Sequence, residues 1–175
     1  MKFELDRAVE ILERTPAVLR SMLTGLSEPW IRNSYGEKTF SPFDVVGHLI
    51  HGERTDWIPR ARIILERGEA RAFEPFDRYA QFTQSQGKTI GELLDTFERL
   101  RGENIEELRA LRLTPQKLAL TGRHPELGSV TMEQLLATWT VHDLNHIHQI
   151  AKCMAWQYKD GMGPWHSHVG VLRPS

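Results

Sequence analysis

The stretch Trp139-Thr140-Val141-His142-Asp143-Leu144-Asn145-His146-Ile147-His148-Gln149-Ile150 decides how the rest of the chain is read. An α-helix turns about 100° per residue, so positions four apart share a face. His142 and His146 are such a pair. Their stripe extends through Leu135, Trp139, Ile150 and Cys153, so two imidazoles interrupt an apolar seam. Buried imidazoles need partners for their ring nitrogens, and a divalent metal supplies one to a His-x-x-x-His pair on one face.

A third ligand comes from an earlier helix. Ser41-Pro42-Phe43-Asp44 is a strong helix start: an N-cap serine, proline at the first position and an acid in the first turn. On the side marked by Val45 and Leu49 lie His48 and Gly52, followed by Thr55 and Asp56. Gly52 lowers helix propensity, with space beside His48 as the expected compensation. His48, His142 and His146 then converge from two helices, three nitrogens with an open position, as in a catalytic zinc-type site; imidazole suits nickel, copper, iron and cobalt as well. A lone histidine is more often a satisfied core residue. The pair plus an inward third favours metal.

The other histidines compete less well. His51, about 60° from His48 around the helix, is the competitor for the third ligand and could replace it, but a helix interface is its expected place; His148 lies about 160° from His146 and points away. His166 and His168 sit in a Gly- and Trp-containing tail and are expected at the surface or the site's rim. His124 is a loop residue with no claim. Thr138, Gln149 and Asp44 are each within reach to orient an imidazole or a bound water. Cys153 reads as a small buried residue with no base beside it.

Working outward, residues 4–27 have helical spacing, with a kink or a fresh start at Thr15-Pro16. Residues 27–40 read as a loop in which Trp30 and Tyr35 are anchors or lid residues. The helix opened by Ser41 runs to about Gly68, bent at Pro59. Residues 69–88 form a connection held to the bundle by Phe73, Phe76, Tyr79 and Phe82. Thr89-x-x-Glu92 is a capping box for a third helix, in whose stripe Asn104 needs a polar partner. Residues 114–129 read as a loop, and Thr131-x-x-Gln134 caps the helix of His142 and His146. The fold class is all-α, a four-helix bundle over 1–160 with an irregular tail, 161–175.

A chain of 175 residues, 40% hydrophobic and 26% charged, has the make-up of one soluble globular domain. A net charge of -1 supplies no basic field for nucleic acid. Acids at Glu4 and Asp6 interrupt what a signal peptide would need, no apolar run is long enough for a bilayer, and one cysteine suits a reducing compartment. A cytoplasmic location is the expectation.

The helix start Phe40-Ser41-Pro42-Phe43-Asp44-Val45-Val46-Gly47-His48-Leu49, followed far downstream by His142-Asp-Leu-Asn-His146-Ile-His-Gln149-Ile150, resembles the DinB-like family, also called YfiT-like metal-dependent hydrolases. The similarity covers about residues 4–158. It implies a bundle in up-down-down-up order, commonly dimeric, with one zinc or nickel ion on His48, His142 and His146. It also implies a small-molecule substrate, with hydrolysis or S-transfer from a low-molecular-weight thiol as the reaction. The alternative is a non-catalytic, stress-related dimer in which the metal or the histidine cluster only stabilises the bundle. His51, His148 and the long tail depart from the simplest family pattern.

Overall fold

The computed structural model describes residues 2–173; Met1, Pro174 and Ser175, the ends of the sequence-based reading, lie outside the described residues. Four long helical segments carry the fold: α1 (Leu5–Leu23), α3 (Pro42–Thr55) continued by α4 (Trp57–Arg67), α6 (Ile90–Ala110) and α8 (Met132–Trp156). Shorter pieces occupy the connections: α2 (Glu28–Arg32), α5 (Ala80–Gln84), α7 (Pro115–Leu118) and an antiparallel hairpin, β1 (Thr121–His124) with β2 (Gly128–Thr131). α1 and α3 each pack against α6 and α8, so α1 stands diagonally to α3 and α6 to α8, while α3 and α6, consecutive among the long four, are neighbours. The result is a four-helix bundle. No helix among the described residues is long and apolar enough to cross a membrane.

The three capping signals fold as their chemistry dictates. Ser41, Thr89 and Thr131 each accept from the amide three residues on, and the side chains of Asp44, Glu92 and Gln134 accept in return from the cap amides. The proline positions divide. Pro59 ends α3 at Asp56, because a proline nitrogen cannot donate to the Thr55 carbonyl; Arg60 N resumes the ladder by donating to Asp56 O at 2.9 Å. Pro16 leaves α1 continuous, without the fresh start. It frees the Leu12 carbonyl, which accepts instead from Arg101 Nη1 at 2.8 Å.

Arg101 belongs to a buried polar layer. Its guanidinium donates to both Asp143 oxygens, at 2.6 and 3.0 Å, and to Glu53 Oε1 at 2.8 Å. Glu53 also accepts from Trp139 Nε1 at 3.1 Å and from Asn104 Nδ2 at 2.9 Å, the partner that Asn104 required. Burial opposes the guanidinium's charge, but the two carboxylates overcome it and raise its pKa. The layer separates two apolar clusters, one containing Leu12, Trp57, Ile105 and Trp139, the other Leu19, Leu49, Phe97 and Ile150.

Two glycines let the connections close on the bundle. A Cβ on Gly47 would run into Ser85, so glycine allows α5 to sit against α3 beside His48. One on Gly122 would lie 2.7 Å from Ile64 Cγ1 and 2.8 Å from Phe73 Cζ. The tail comes back to the bundle: Leu172 is buried, and Lys152 Nζ donates to the Arg173 carbonyl at 3.3 Å.

Candidate metal centre

α3 and α8 bring His48, His142 and His146 together, with one ligand-capable nitrogen from each within 4.8 Å of the others. His142 Nε2 lies 3.3 Å from His48 Nε2 and 3.1 Å from His146 Nε2. Metal–nitrogen bonds of about 2.0–2.1 Å set neighbouring nitrogens of a tetrahedral site about 3.3–3.4 Å apart. These distances fit a divalent ion. No arrangement of protons fits as well: His142 Nε2 offers either one hydrogen or one lone pair and faces two nitrogens, so only one of the two contacts can have a hydrogen bond of its own.

Burial first, then the charge each ring would impose on its neighbours, lowers the pKa of His48 to about 3 and of His142 to about 2; burial lowers His146 as well. The rings are therefore held in the unprotonated form a metal requires. His146 Nδ1 donates to Gln149 Oε1 at 2.8 Å, which leaves its Nε2 as a lone pair facing the cluster. The Nδ1 atoms of His48 and His142 are buried and have no hydrogen-bond partner among the described residues. Aromatic rings hold these two instead: Trp57 stands edge-on to His142 at 5.2 Å, Phe76 edge-on to His48 at 5.3 Å, and Trp57 stacks on Trp139 at 5.7 Å.

The cluster opens into a cavity of about 590 Å³. Its wall includes Asp56 and Arg60, joined at 2.8 Å, together with Tyr35, Phe73, Phe76 and residues of the hairpin. Burial, only partly offset by Arg60, raises the Asp56 pKa to about 6.

The residues singled out in the sequence divide clearly. His51 lies at a helix interface, with Gln84 Nε2 3.4 Å from its Nδ1 and Phe76 4.9 Å from its ring. His148, His166 and His168 are exposed. Of the three orienting candidates only Gln149 touches a site imidazole: Asp44 is committed to its cap, and the Thr138 hydroxyl donates to Gln134 O. The space expected beside Gly52 lies against Trp57 rather than His48, since a Cβ there would meet Trp57 Nε1 at 3.4 Å. Tyr35 reaches the cavity, whereas Trp30 packs on Tyr158. Cys153 is buried, its thiol donating to the Phe40 carbonyl and pushed up to about 11 by burial. His124, given no claim, lines the cavity, its Nδ1 accepting from the amides of Glu126 and Leu127. Trp57 and Arg60 also line the cavity without a signal in the sequence; Asp56 lies on the inward stripe of His48, which continues into the site.

The model of the DinB superfamily matches residues 11–150. The chain belongs to the DinB superfamily. This DinB-superfamily chain is 25% identical over 161 residues, 89% of its length and 88% of the other's, to a Bacillus subtilis protein named "Putative metal-dependent hydrolase YfiT". The solved structure of YfiT, described as having an unusual four-helix bundle topology, is similar with a TM-score of 0.71 at 24% identity, over 93% of this chain and 90% of that one. A second four-helix bundle protein, TT2238, is similar with a TM-score of 0.57 at 20% identity, over 85% and 98%.

Proposed function

We propose that this protein is a metal-dependent enzyme, a hydrolase or a thiol S-transferase, with His48, His142 and His146 as the ligands of one zinc or nickel ion. The observation that carries the reading is the meeting of three neutral imidazoles where a cavity of about 590 Å³ opens. A divalent ion held there would supply Lewis acidity to activate a water or thiol or to polarise a carbonyl. The chain's own residues prepare that chemistry. Gln149 fixes the tautomer of His146. Trp57 and Phe76 hold the other two rings and exclude water behind them. Asp56, in the cavity wall, titrates near the working range of a general acid or base.

The name of the curated relative favours hydrolysis; S-transfer follows from the family resemblance. The non-catalytic alternative calls for a closed coordination sphere and no pocket, and a cavity of this size favours the enzyme. Elemental analysis of protein purified without a His-tag tests the reading. The expected result is about one divalent ion per chain, lost in His142→Ala. Substoichiometric metal that His142→Ala leaves unchanged would overturn it. Chromogenic esters and amides, screened beside pairs of thiols and electrophiles, then separate the two reactions.

A further inference from the structure

The three histidines say nothing of what enters the cavity, but its walls do. The whole chain carries -1, yet the cavity is lined by three permanent cations, Lys38, Arg60 and Arg78, against one carboxylate, Asp56. Asp56 is engaged by Arg60 at 2.8 Å, which leaves Lys38 and Arg78 in surplus. Neither has a carboxylate within ion-pair distance among the described residues. They come from two different connections, one before α3 and one after α4, and meet at one cavity.

Lys38 has a second peculiarity. Its φ of 61° is in the left-handed region that residues with a side chain rarely adopt. The turn is pinned by the hydroxyls of Ser34 and Thr39, which both donate to the Gly36 carbonyl at 3.1 and 2.7 Å. Phe73 and Phe76 make other parts of the wall apolar.

We infer that the cavity binds an organic anion, a small molecule whose carboxylate is held by Lys38 and Arg78 and whose apolar body lies against Phe73 and Phe76. Like-signed charges around a cleft concentrate counter-ions of the opposite sign. A guanidinium fork matches a carboxylate in geometry, and aromatic walls take up an apolar body. The inference rests on the cavity being the substrate site of the proposed enzyme, not on the presence or identity of the metal.

Calorimetry on the full chain, stripped with a chelator, tests it with 4-phenylbutyrate and its uncharged partner 4-phenylbutanamide. Removing metal keeps the carboxylate from gaining affinity by coordination. At low ionic strength the acid is expected to bind roughly tenfold more tightly than the amide, and salt near 1 M is expected to erode the difference. The double variant Lys38→Ala/Arg78→Ala should lose most of the preference while its affinity for the amide stays put. Binding of neither probe, equal binding of both, or a preference that survives the double variant would overturn the inference. So would a preference that emerges only after metal is restored. Elemental analysis reads failure of the metal site separately.

Discussion

α3 and α8 build two buried polar assemblies side by side, and the two are opposites. Glu53 follows His48 by about one and a half turns, and Asp143 comes directly after His142. In the layer of Glu53, Arg101 and Asp143, every guanidinium nitrogen except Nε has an acceptor, and Trp139 and Asn104 donate to what remains of Glu53. In the histidine cluster, three Nε2 atoms face one another without hydrogens enough to pair them. A buried polar group satisfied from within the chain serves the fold. One that only a foreign atom can satisfy marks where that atom belongs.

The largest test of this contrast is to break each assembly by one side chain. Arg101→Met leaves two carboxylates buried without a counter-charge, which costs about 3–5 kcal/mol and is read as a lower midpoint in urea denaturation. His142→Ala in metal-free protein removes a ring that had no good partner, and less than half of that loss is expected. Equal losses would mean that the cluster, too, is structural.

Why the layer escaped the sequence while the cluster did not is a matter of spacing and habit. The i, i+4 histidines stand out because histidine is scarce on an apolar stripe. Arg101 occupies the same kind of stripe between Phe97 and Ile105, and Glu53 lies between Leu49 and Trp57, but charged residues on a helix are ordinarily solvated and draw no notice. The helix starts were legible because a capping box is local chemistry. The hairpin was not: its strands are four residues each and contain Gly122 and Gly128, too short for an alternating pattern. Continuity through Pro16 was also hidden, since the donor that uses the freed Leu12 carbonyl is 89 residues away.

Acid sharpens the comparison next, again in metal-free protein. An ordinary imidazole titrates near 6.5, whereas folding lowers His48 to about 3 and His142 to about 2. Below 6.5 the unfolded chain takes up protons that the folded one refuses, so each ring withdraws about 1.4 kcal/mol of stability per pH unit as pH falls toward its folded value. Asp56 acts with the opposite sign. Its folded pKa is raised to about 6, so its contribution is complete below about 3.8 and is lost as pH rises through 6. Two histidines outweigh one aspartate between pH 6 and 4, for a net loss of about 1.4 kcal/mol per unit, with His146 adding to it. Urea midpoints at a series of pH values measure the slope. In Asp56→Asn the loss should steepen, and a wild-type midpoint that rises on acidification would show that the histidines titrate as if exposed.

The smallest expected effect tests whether the cluster has any support of its own from the chain. Gln149 and Thr138 both line the cavity, yet only Gln149 holds a site imidazole, accepting from His146 Nδ1 at 2.8 Å, while the Thr138 hydroxyl is spent on its own helix. Gln149→Ala should therefore weaken divalent-metal affinity about 10- to 100-fold, the usual effect of losing a group that orients a ligand, roughly 1.4–2.7 kcal/mol. Thr138→Val should leave it alone. Competition against a chromogenic chelator reads both variants on one scale. Matching shifts would mean that helix packing alone aims His146, and the cluster would then have no tautomer set by the protein.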